Sequence, residues 1–81
     1  MGVFSMTIVV RDADDVPVHM GKVELSQRTL LGTSTTDADG AAQFNLDTKL
    51  ERTTATVWVN GKTIQKILVT ADKSFMVTYS K

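Results

Sequence analysis

Apolar residues recur at every second position through the start of the chain, where Phe4, Met6, Ile8 and Val10 alternate with Ser5, Thr7 and Val9. A period of two sends alternate side chains to opposite faces of a pleated strand, so this stretch is predicted as a strand with one face in a core. Asp12-Ala13-Asp14-Asp15-Val16-Pro17 follows, with three turn-forming acids and the only proline, and the chain must turn there. A weaker strand is read over Val18 to Ser26, with Val23 and Leu25 inward and Lys22 and Glu24 outward, and another over Thr33 to Thr36, whose threonines suit an edge. Asp37-Ala38-Asp39-Gly40 predicts a tight turn, after which Ala42, Phe44 and Leu46 point inward from a further strand.

Asp47 to Thr53 has a short helical or looping pattern, and it leads into Thr54 to Val59, the most β-prone stretch of the chain. Asn60-Gly61 is a strong hairpin signal, with Thr63 to Thr70 as its far arm; a last strand runs from Phe75 to Tyr79. Seven strands spaced by turns at roughly ten residues make the pattern of a β-sandwich. The hairpin register stays open. A two-residue turn sets Val57 opposite Ile64 and puts Trp58 on a polar face with Thr56, Thr63 and Gln65, whereas a three-residue loop sets Val57 opposite Thr63 and turns Trp58 into the core. Either register leaves apolar residues on both faces, which predicts a bulge near Lys66.

Size and charge narrow the partners. Eighty-one residues make one domain, taken as 1–81, with room for a single core. Nine basic and nine acidic side chains cancel, which removes the field that would draw in nucleic acid or an anionic membrane. The apolar start lacks a basic leader and is cut short by Arg11-Asp12, so neither a signal peptide nor a membrane span is expected in it. If the domain is exported, it belongs to a longer chain or leaves by a route without such a signal.

The order Ile8-Val9-Val10-Arg11-Asp12, Val16-Pro17-Val18, Val23-Glu24-Leu25 and Thr36-Asp37-Ala38-Asp39-Gly40-Ala41-Ala42-Gln43-Phe44 resembles the carboxypeptidase-regulatory-like domains, which are transthyretin-like, and almost equally the bacterial Ig-like repeats of invasin and intimin. The resemblance implies an all-β, seven-stranded antiparallel Ig-like/transthyretin-like sandwich with Greek-key connections. It also implies a non-catalytic module of a larger bacterial surface, secreted or secretion-machine protein, with an extracellular or cell-surface location and with protein partners or neighbouring domains of the same chain. Asp15 stands where such domains usually have glycine. Collagen-adhesin repeats are similar too, but their Lys–Asn crosslink is not expected, because Arg11 replaces the lysine and the last strand has no asparagine.

Chemistry-bearing residues are sparse. His19, the only histidine, lies beside a turn with no serine in a nucleophile-elbow context, and there is no cysteine for a thiolate zinc site, so no enzyme or cofactor is expected. Two candidate binding regions remain. If strands alternate in direction, Asp12, Asp14, Asp15, Asp37 and Asp39 gather at one end with Asn60 and Lys62, a set of oxygens of the kind that holds Ca2+. The bland alternative is that aspartate simply favours turns. The opposite end, with Arg28, Lys49, Arg52 and Lys73 among Asp47, Glu51 and Asp72, is more basic. The second region is Trp58 with Thr56, Thr63 and Gln65, where a sugar ring could stack, weighed against the plain packing that a small core asks of its largest side chain.

Overall fold

The computed structural model describes residues 2–80, and alternation governs it from the first strand. Strand β1 (Val3–Arg11) buries Phe4, Met6, Ile8 and Val10. After it come β2 (Lys22–Ser26), β3 (Leu30–Thr35), β4 (Ala41–Asp47), a 3-10 turn at Thr48–Leu50, β5 (Thr54–Val59), β6 (Lys62–Leu68) and β7 (Ser74–Thr78). The strands form two sheets, one in the order β4-β1-β7 and the other in the order β3-β2-β5-β6. Between them lies one core, in which the alternate apolar residues of β1, β2, β4 and β5 meet Ile67, Val69 and Val77. This is a seven-stranded Ig-like sandwich, although immunoglobulin constant domains group their strands as ABED and CFG. Here the first strand sits between the fourth and the last.

Among the described residues, all sheet pairings are antiparallel but one. β7 runs parallel to β1, with Thr7 beside Ser74 and Arg11 beside Thr78, which corrects the expectation of an antiparallel fold throughout. The reason is parity. Successive strands reverse direction, so all odd-numbered strands point the same way, and two of them placed side by side must be parallel. The chain therefore enters β1 at one end of the body and leaves β7 at the other. The body measures 39 × 22 × 16 Å.

Boundaries moved by three residues or more in two places. The second strand starts at Lys22 instead of Val18, because Pro17 is held in an isolated bridge to Arg11 and the chain bends between them and β2. The third begins at Leu30 instead of Thr33, since the turn before it needs only Gln27 to Thr29.

The β5–β6 hairpin starts in the first of the two registers left open by the sequence and, past the turn, adopts neither. Asn60 and Gly61, at φ 50° and 82°, make a two-residue turn that pairs Val59 with Lys62 and Trp58 with Thr63. The register then slips, so that Val57 faces Gln65 and Ala55 faces Ile67. Ile64 is the extra residue, and the bulge lies there instead of near Lys66. Its effect is to bring Ile67 and Val69 into the core while Leu68 stays exposed.

Candidate functional site

The acidic loops do share one end. Gly40 O accepts from the Val10 N–H at 2.8 Å, Thr36 O accepts from the Met20 N–H at 3.0 Å, and Asn60 spans the gap to β2. Asn60 does so twice: its N–H donates to Lys22 O at 2.8 Å, and its Oδ1 accepts the Lys22 N–H at 2.9 Å. A hydrogen bond from the Gly21 N–H to the buried Thr36 hydroxyl, at 2.7 Å, completes the tie and was not readable from local sequence.

Within that end, the carboxylates are committed to their own turns. Asp12 Oδ1 accepts the N–H groups of Asp14 and Val16, and Asp37 Oδ1 accepts those of Asp39 and Ala41. Asp15, at φ 64°, lies 3.7 Å from the Arg11 guanidinium. Among the described residues, no three acidic or histidine side chains converge as a metal-holding group, so Asp12, Asp14, Asp15, Asp37 and Asp39 share an end without forming a ligand set. The geometry supports the turn-residue reading of these acids. An open cleft does lie there, walled by Asp12, Asp14, His19, Asn60, Tyr79 and Ser80. Sequence reasoning missed Tyr79 and His19 as part of it, because only the β1–β7 pairing brings the end of the chain beside the first loop.

The Trp58 region is on the outer face of the four-stranded sheet. Trp58 is half-buried; it pairs with Glu24 on one side and Thr63 on the other, and its indole N–H donates to Ser26 Oγ at 2.7 Å. With Glu24, Ser26, Leu30 and Gly61 it lines a shallow hollow. Thr56 and Thr63 share this face, as the two-residue turn predicts. Gln65 does not, because the bulge sets it opposite the inward Val57 and gives its place beside Thr56 to Lys66. The indole donor is already satisfied within the sheet, so the exposed part of the ring offers an apolar surface only.

At the opposite end, the 3-10 turn is capped by Asp47, whose Oδ1 accepts the Lys49 N–H, and Lys73 lies 4.9 Å above the Phe75 ring. The Lys73 ammonium is thus engaged locally, whereas Lys49 contributes its backbone N–H to the cap.

With this geometry in view, comparison with known families is decisive: the model of the macroglobulin domain MG4 matches residues 3–77. The chain belongs to the macroglobulin MG4 domain family. That match covers every strand except the last residue of β7. Comparison with curated proteins returned no match. Among solved structures, the chain is similar to the TIE protein of Bacillus anthracis, at 16% identity and a TM-score of 0.64, over 98% of this chain and 16% of that one. At that identity the likeness concerns the fold. Together these findings bear out a general Ig-like sandwich but not its transthyretin-like or invasin type, and they fit a β-sandwich module of macroglobulin type.

Proposed function

We propose that this macroglobulin-type domain is a non-enzymatic spacer and interaction module of a longer secreted or surface-exposed bacterial protein. The observation that carries the reading is the parallel β1–β7 pair. Chain entry and exit lie at opposite ends of a body 39 Å long, as a unit threaded in line between neighbours requires. Its acidic loops mark one end and Arg28, Lys49, Arg52 and Lys73 belong to the other, so successive modules would meet with opposite polarity. The similarity to a much larger chain, of which this one spans 16%, supports the same reading.

The test is a distance. The chain has no cysteine, so Gly2→Cys and Ser80→Cys give two unique labelling sites for energy transfer. A separation close to the 39 Å long axis is expected, and one near the 22 Å width would contradict the reading.

A second reading rests on Trp58. Its exposed ring on a threonine-rich sheet face, with Thr56 and Thr63 beside it, fits a neutral carbohydrate stacked on the indole. Saturable change of Trp58 emission on titration with oligosaccharides supports it, and unchanged emission together with an unchanged melting temperature removes it.

A further inference from the structure

We infer that the β1–β7 pair is a shear clamp, and that the domain carries tension along its chain axis as well as spacing its neighbours. This rests on the spacer reading and adds a mechanical function to it. When the two chain ends are drawn apart, β1 is pulled toward the end carrying Thr48 and β7 toward the acidic loops. The strands are parallel, and the pulled ends are the start of one and the finish of the other. Force therefore runs along the ladder and loads its hydrogen bonds together, with no end at which they can open singly.

The ladder is closed at both ends. The Thr7 N–H donates to Lys73 O at 3.0 Å, and the Tyr79 N–H donates to Arg11 O at 2.8 Å. Between them five residue pairs stay in register without a bulge. Regular parallel alternation gives the N–H and C=O of Thr7, Val9 and Arg11 to β7, while the Val10 N–H turns the other way, to Gly40 O. β1 is itself anchored on its far side by seven pairs to β4. β7 lies at the sheet edge and pairs with β1 alone, so its release is the mechanical event. Side chains oppose the same slip. Val77 is buried and Phe75 and Tyr79 pack on the core, so sliding β7 by one residue would turn its core face outward.

The experiment is single-molecule pulling on the whole chain in two geometries. Handles at the two termini load the ladder in shear. Handles at Ser5→Cys and at Lys73→Cys place both attachments at the end where the β1–β7 ladder begins, so its bonds open one after another. The expected rupture force is several-fold higher through the termini. Tyr79→Pro removes the last ladder donor together with the packed Tyr79 ring, so it is read against Tyr79→Ala, which keeps the donor: the rupture force through the termini should be lower in the proline variant than in the alanine variant, with the peeling force equal in the two. Equal forces in the two geometries, or equal rupture forces through the termini in the proline and alanine variants, would overturn the clamp. A long end-to-end distance with a low rupture force would overturn the clamp and leave the spacer standing, whereas a short distance removes both.

Discussion

Gly40 and Gly61 both have positive φ, at 79° and 82°, yet their surroundings differ. A Cβ on Gly40 would sit 2.5 Å from Val10 O, in a turn that holds the acidic end together, whereas one on Gly61 would meet nothing within 4 Å. Gly61→Ala should therefore cost only the left-handed backbone strain, about 1 kcal/mol, and Gly40→Ala at least about 2 kcal/mol, because Val10 or the turn must also move. Urea midpoints at constant slope measure both, and equal losses would refute the distinction. Asp37 is worth a comparable test. Its Oδ1 holds two backbone N–H groups, so Asp37→Ala should cost about 1 kcal/mol, and added Ca2+ should leave the melting temperature of the parent chain unchanged. These local roles were legible in sequence, since aspartate before a glycine turn satisfies backbone donors wherever it occurs. What the five acids do as a group was not, because convergence depends on where each loop sends its side chains.

Among the strands, β6 shows how far pattern reading goes. Its sequence carries apolar residues on both faces, and that conflict signalled a bulge; the position was set by Asn60, whose side chain and N–H both bind Lys22 and hold the tight turn in place. Ile64 is the residue left over, so its deletion should keep Val57 opposite Gln65 and Ile67 in the core. The expected loss is about 1 kcal/mol for partly buried packing, with cooperative unfolding and Trp58 emission preserved; a loss of cooperativity would show that the register depends on the bulge. The edge strand β3 allows a finer check. Both backbone groups of Lys22 go to Asn60, so Lys22 makes no ladder bond to its β3 partner Thr35, whose N–H faces the open edge, as does that of Thr33 by alternation. Amide exchange at Thr33 and Thr35 should be fast and at Ser34 slow.

At the scale of the whole molecule, the two-layer sandwich was readable from seven spaced strands, but the order in which they join the sheets was not. Periodicity states which face of a strand is buried and says nothing about which strand lies beside it. That missing information is what gives the fold its mechanical character, since β7 next to β1 separates the chain ends and aligns the last ladder with the direction of pull. Charge follows the same axis, with zero net charge divided between an acidic and a more basic end. The most direct measurement is NMR detection of hydrogen-bond couplings across the β1–β7 ladder in the labelled chain. Couplings from the Thr7 amide to the Lys73 carbonyl and from the Tyr79 amide to the Arg11 carbonyl are predicted. Couplings that instead pair the start of β1 with the end of β7, as an antiparallel ladder requires, would contradict the parallel pair and with it both the spacer and the clamp.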